Sequence, residues 1–167
     1  MKTILRLLFL IVVIGLGVWA WTAFFPKPEI EVRKRLNQLA KLASYSKGEG
    51  NIAMTVRIER LCALFADQVE VRIDVPGFEA HSFGSRAELL QEATGVSKYF
   101  SGGMKAELLD INVEIGPDKI SALVDLTLKA KPGDERDMMV QELKITLKKI
   151  KGDWLVNRVE TVKTLRL

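Results

Sequence analysis

"LKKIKGDWLVNRV", residues 147–159, decides the fold. Its first four residues end an alternating strand, Lys151, Gly152 and Asp153 make a tight turn, and Trp154 starts a second strand. The strands before this hairpin can be read backwards from it. Met139, Leu143, Ile145 and Leu147 share one face, preceded by the turn "KPGDERD" (131–137). Ile120, Ala122, Val124, Leu126 and Leu128 share the next face, preceded by "GPDK" (116–119). Leu109, Ile111, Val113 and Ile115 make the first, in a strand opening near Lys105. A period of two sustained this long predicts a meander of four long antiparallel strands.

Upstream the period is helical. Pro28 suits a first helical position, Glu29 and Glu31 favour the positive helix N-terminus, and Val32, Leu36, Leu39 and Ala43 form an apolar stripe. After the break "SKGEGN" (46–51), Asn51 is expected to cap a second helix running to Phe65, with Ile58, Leu61, Cys62 and Phe65 on one face. Cys62 there reads as a small buried hydrophobe rather than a nucleophile. "QVEVRIDV" (68–75) alternates, with Val69, Val71, Ile73 and Val75 inward, and predicts a strand. In "SRAELLQEATGVSKYF" (85–100), Ser85 and Glu88 have capping-box spacing, and Leu89, Ala93, Val96 and Phe100 line one side of a third helix. The expected class is α+β: a curved antiparallel sheet forming a cone, with three helices packed on it.

At the N-terminus, Ile4 to Phe25 is apolar apart from Arg6 and Thr22, long enough for one bilayer crossing of about 20 residues. Trp19, Trp21, Phe24 and Phe25 gather at its far end, as amphipathic rings do at a headgroup layer. "VWA" (18–20) offers a signal-peptide cleavage site, but the apolar run continues past it, so a retained anchor is preferred to a cleaved leader. The organisation expected is a transmembrane anchor over 1–25, a linker over 26–28 and one domain over 29–167, since each proline of "PKP" turns the residue before it away from the helical region. Basic residues flank both sides of the span. A very short leader stays inside, so the localisation expected is a single-pass membrane protein with an extracytoplasmic domain.

The chain carries 25 basic and 21 acidic residues, and two of the basic ones, Lys2 and Arg6, belong to the leader. So small an excess is no nucleic-acid footprint. One histidine and one cysteine supply no His/Cys metal cluster, and no phosphate-cradling glycine loop occurs, so no metal and no cofactor are expected. Arg33, Lys34, Arg35 and Lys41 read as a solvated helix face, or, just after a membrane span, as a face resting on anionic headgroups.

The order of elements resembles the nuclear transport factor 2-like superfamily, which includes ketosteroid isomerase and the small SnoaL-like polyketide cyclases. Three stretches carry the likeness: "LFAD" (64–67), "GSRAELL" (84–90) and the closing hairpin. The resemblance implies a cone in which, among the isomerases, carboxyl groups and a tyrosine project inward with tuned pKa values. Here the alternation turns Asp110, Asn112, Glu114, Asp125, Glu142 and Asp74 away from the apolar faces. Asp74 lies near where the resemblance places an isomerase base, yet it needs a bulge to point inward. Tyr45 does not match the catalytic tyrosine.

No catalytic residue is assigned. Four residues are candidates for ligand binding: Asp74; His81 in the loop "GFEAHSFG" (77–84); Gln141, whose parity is inward though an amide is a poor base; and Trp154, which reads first as a packing residue and otherwise as a stacking platform. The function expected is a non-catalytic interaction or assembly module of the cell envelope. Its partners would be the bilayer and another envelope protein or a second copy, with no nucleic acid. The alternative is a binder of a small apolar ligand, or an isomerase- or cyclase-like enzyme using the cone. As a first test, full-length chain is expected in the membrane pellet after a carbonate wash; a soluble form beginning at Trp21 would instead establish cleavage.

Overall fold

The computed structural model describes residue 14 and residues 27–73, 81–99, 102–133 and 138–162. The proposed anchor, apart from residue 14, and Asp74, Val75 and Phe100 lie outside the described residues, as does the side chain of His81. No helix among the described residues is long and apolar enough to cross a membrane.

Helix α1 (Pro28–Ala43) is followed by the short strand β1 (Tyr45–Ser46), helix α2 (Asn51–Cys62) and strands β2 (Phe65–Ile73) and β3 (His81–Phe83). Helix α3 (Arg86–Tyr99) precedes the meander β4 (Gly103–Ile115), β5 (Ser121–Pro132), β6 (Met139–Ile150) and β7 (Asp153–Thr161). One seven-stranded sheet runs in the order β1-β4-β5-β6-β7-β2-β3. It is mixed rather than wholly antiparallel, because β2 lies parallel to β7, with Glu70 opposite Arg158 and Val71 opposite Val159. A parallel pair needs a long crossover, and α3 with the strands β4 to β6 provides it.

Helix α1 starts as its sequence predicts, with Pro28 in its first turn beside Glu29 and Glu31, and it buries Val32 and Leu36 completely. At its other end Ser44 Oγ donates to the Ala40 carbonyl at 2.8 Å and accepts from the Ala106 amide at 3.0 Å, fastening the helix to β4. Helix α2 departs from expectation at both ends. Its cap position is Gly50 rather than Asn51, and it stops at Cys62 because Phe65 already belongs to β2. Before α3, Glu88 N donates to Ser85 Oγ at 3.3 Å and the Glu88 carboxylate accepts from Gly84 N at 2.9 Å, so the predicted capping box forms with its return bond one residue earlier. Ser97, not Val96, is the buried residue of α3, since 89, 93 and 97 keep the four-residue spacing of a single helix face.

The inward strand faces form one cluster with α1: Val69 and Val71 of β2, Ala122, Val124 and Leu126 of β5, and Leu143, Ile145 and Leu147 of β6. Trp154, Val156 and Val159 of β7 complete it. Two slips of register break the strict alternation. In β4 the pairing shifts between Leu109 and Asn112, and Asp110 takes a left-handed φ of 51°. Leu108 then packs on the core with Ile111, Val113 and Ile115, while Leu109, expected inside, is exposed. In β7 the slip falls at Asn157, between the pairs Leu147–Val156 and Thr146–Arg158, and it turns both Val156 and Val159 inward. A bulge adds one residue to one strand and bends it, which curves the sheet around α1. Ile120 and Ile73 were also expected inside. Ile120 precedes the start of β5 in its turn, Ile73 ends β2, and both are exposed.

The closing turn is the predicted one: Lys151 and Gly152 have φ of 53° and 95° between the paired Ile150 and Asp153. Two left-handed residues in a two-residue loop match the right-handed twist of a hairpin. At Asp110 the same backbone region makes a test. Asp110→Asn is expected to leave the melting temperature unchanged, because asparagine tolerates this conformation, whereas Asp110→Val is expected to cost about 1–2 kcal/mol in a denaturant titration.

Candidate functional site

Of the candidate ligand residues, Asp74 lies outside the described residues, and Gln141 and Trp154 stand far apart. Lys149 is the ladder partner of Trp154, and Gln141 lies about 26 Å from it along β6 at about 3.3 Å per residue. His81 pairs with Ile73 at the end of β2, where Arg72 pairs with Glu160, and Leu143 pairs with the next residue, Thr161. His81 and Gln141 therefore share one end of the sheet and Trp154 occupies the other. The Gln141 amide donates to the carbonyls of Glu142 and Val162, at 3.2 and 3.4 Å, and so ties down the end of β7.

Trp154 is buried, with 2% of its surface exposed. Its indole N–H donates to Glu31 Oε2 at 2.8 Å, and Lys149 Nζ donates to the same oxygen at 2.7 Å. Lys149 also stands 5.8 Å from the centre of the indole ring. The Lys149 ammonium holds the Glu31 carboxyl below the usual glutamate range, with the indole N–H adding to the effect, against a partial desolvation that acts the other way. One turn further along α1, Arg35 pairs with Asp153 at 2.9 Å. A shallow pocket of about 270 Å3 opens here between α1 and the hairpin, with Glu31, Lys34, Gln38 and Gly152 at its walls. Lys149 was legible in retrospect: its parity follows Leu143, Ile145 and Leu147 inward, and an inward lysine beside a tryptophan requires a carboxylate.

A second polar cluster lies at the far end of α1. Arg57 Nε bridges both oxygens of Glu49 at 3.0 Å, Nη1 donates to the Leu42 carbonyl at 3.0 Å and Nη2 to Ser97 Oγ at 3.3 Å. Its guanidinium lies 4.2 Å over the ring of Tyr45. Desolvation raises the Tyr45 pKa, with the Arg57 charge opposing it, so this phenol stays protonated. A pocket of about 270 Å3 lies beside it, bordered by Ser46, Met54 and Lys98. Arg57 adjoins Ile58 and precedes Leu61 by one turn, and a basic residue within that apolar stripe was the signal for this network. Burial also pushes the Cys62 thiol up, which keeps it from acting as a thiolate.

The carboxylates of the long strands face out. On the outer face, residues of five strands stand in one row across the sheet: Asn112, Asp125, Lys144, Glu160 and Arg72. Lys144 reaches Asp125 at 3.7 Å, and Arg158 reaches Glu70 and Glu160 at 3.6 and 3.1 Å. Alternating charge in cross-strand positions supports the pairing of the strands. Among the described residues no group of three or more His, Cys, Asp or Glu could hold a metal ion. Of the four basic residues expected at a membrane surface, Arg33 is held by Glu29 at 3.3 Å and by the Ile111 carbonyl at 3.1 Å, and Arg35 by Asp153. Lys41 lies in the last turn of α1, and Lys34 near its start remains exposed without an ion pair among the described residues.

The curved sheet with helices on its concave face defines a cone of the nuclear transport factor 2-like, or cystatin-like, kind. No protein-family model matches the chain, and no curated protein matches it. Solved structures do. A putative scytalone dehydratase from Novosphingobium aromaticivorans is 19% identical with a TM-score of 0.61, over 82% of this chain and 84% of that one. An NTF2-like protein of unknown function from Pseudomonas putida is 15% identical with a TM-score of 0.62, over 83% and 88%. A putative dehydratase of the NTF2-like family from Streptomyces avermitilis is 18% identical with a TM-score of 0.54, over 83% and 97%. Identities this low establish the fold alone.

The cluster around Trp154 makes two tests. Trp154→Ala is expected to cost about 3–5 kcal/mol, enough to unfold a marginal domain, and Trp154→Phe about 1 kcal/mol through the lost hydrogen bond. Because the folded-state pKa of Glu31 is depressed, its contribution is present above the ordinary glutamate pKa and fades as pH falls through the lowered value. Thermal melts against pH should therefore show an acid loss of stability that is smaller in Glu31→Gln.

Proposed function

We propose that the chain is a membrane-anchored, non-catalytic interaction or assembly module of the cell envelope. Its partners would be the bilayer and another envelope protein or a second copy of itself. The observation that carries this reading is the polarity of the sheet. Among the described residues the buried strand positions carry aliphatic side chains, Phe65 and Trp154, and the two inward polar residues, Gln141 and Lys149, are no carboxylates, while Asp110, Asp125 and Glu142 point outward. A general base needs a carboxylate or imidazole brought out of water toward the reacting centre, where its pKa can approach the working pH. The apolar run Ile4 to Phe25 supports the anchor, and the short leader before it supports an extracytoplasmic domain.

The alternative reading is a small apolar ligand binder, or an isomerase-, cyclase- or dehydratase-like enzyme, using the cone. It is favoured by the two structural neighbours described as putative dehydratases and by Gln141, whose sheet end is shared with His81. Extraction of the full-length protein in mild detergent, followed by affinity capture and native mass spectrometry, separates the two. The module reading expects one reproducible envelope protein or a second copy, held equally well by Asp74→Asn, His81→Ala and Gln141→Ala. A bound small molecule that those three variants release would carry the alternative and overturn the module.

A further inference from the structure

The hairpin turn, the β4–β5 turn and the start of α1 gather at one end of the domain. Lys149 and Trp154 bind Glu31, Arg35 binds Asp153, and the Lys149 amide donates to the Ile120 carbonyl at 2.7 Å. At this end Lys27, Lys34, Lys119, Lys148 and Lys151 are all exposed, and none forms an ion pair among the described residues. The neighbouring carboxylates are largely engaged: Glu29 by Arg33, Glu31 by Lys149, and Asp153 by Arg35. Asp118 accepts from Ile120 N, Ser121 N and Ser121 Oγ within its own turn, and Glu114 remains free-standing on β4. Three isoleucines at the same end are exposed although they are large and apolar: Ile30, Ile120 and Ile150.

We propose that this end of the domain is a lipid-docking surface that seats on anionic headgroups of the bilayer entered by the chain's own leading segment. The inference rests on the anchor proposed above and adds which face meets the membrane. The occupant follows from chain length. The apolar run ends at Phe25 and α1 begins at Pro28, and three residues at about 3.6 Å each hold this end within about 10 Å of the span, roughly one Debye length at 0.1 M salt. Free lysines there gain from an anionic surface, and the isoleucines find an interfacial layer that takes apolar side chains. The opposite end, with Lys98 and Lys131, stands off by roughly the length of α1, about 24 Å.

The test uses full-length protein in nanodiscs of phosphatidylcholine, alone or with about a third phosphatidylglycerol, and a neutral amine-acetylating reagent read by mass spectrometry. On the anionic discs, acetylation of Lys34, Lys119, Lys148 and Lys151 is expected to slow about fivefold relative to Lys98 and Lys131, and high salt is expected to reverse the difference. The double variant Lys34→Glu with Lys148→Glu changes two exposed residues, and it should keep its melting temperature while losing the protection of Lys119 and Lys151. Equal labelling on both kinds of disc, with the chain still co-eluting with lipid after a carbonate wash, overturns the docking surface and leaves the anchor standing. Protection that persists in the double variant also overturns it. Chain that separates from the discs overturns the anchor and the docking surface together.

Discussion

The contact on which the rest of the molecule depends is the one oxygen of Glu31 that receives both the Trp154 indole and the Lys149 ammonium. Trp154 lies at the first turn of α1 and at the base of the last hairpin, so its burial requires a helix above and a strand pair below. An indole N–H taken from water needs an acceptor, and a half-buried carboxylate needs a cation. The three groups answer each other's requirements at one point. This fixes the height of the helix over the sheet, and Arg35 with Asp153 fixes its direction along the hairpin. At its other end the helix is held by Ser44 on β4 and, through the Leu42 carbonyl, by Arg57. Between the two ends Val32 and Leu36 supply the buried apolar contacts, and Arg33 adds a bond to the Ile111 carbonyl of β4.

With the helix held at both ends, the sheet has to bend to cover it. Long strands twist but do not by themselves wrap a rod about 11 Å across. The extra residues at Asp110 and Asn157 supply the bend, and each keeps an apolar residue inward on both sides of its slip. Leu108 and Ile111 flank one, Val156 and Val159 the other. The outer face carries a row of alternating charge across four strands, with Asn112 of a fifth beside it, which pairs the strands without adding apolar surface.

Charged and polar groups gather at the two ends of α1. One end joins the leading segment and carries unpaired lysines; the other carries Arg57, Tyr45 and the sheet end of Gln141 and His81. The region between is filled with apolar side chains.

Most of the architecture was legible in residue periods, because burying one face of a helix or strand imposes a repeat that survives in a single sequence. The stripe of α1 and the faces of β5 and β6, Ile120 apart, were determined this way, and turn and capping chemistry gave the Lys151–Gly152 turn and the Ser85–Glu88 cap. The bulges were not, since a strand with one extra residue differs from a regular strand only in where its partner's amides fall; Leu109 was therefore placed inside and Leu108 outside. The parallel pairing of β2 with β7 was equally hidden, because the direction of a distant neighbour leaves no mark on a strand's own alternation. The same holds for the candidate site. Trp154 announced its burial by its type and place, but Glu31, which accepts its hydrogen bond, stood in the sequence as an ordinary acidic residue of a first helical turn. Only the tertiary structure decided that role, because a side chain's chemistry is written in the chain while its partner, here more than a hundred residues away, is set by how the core packs.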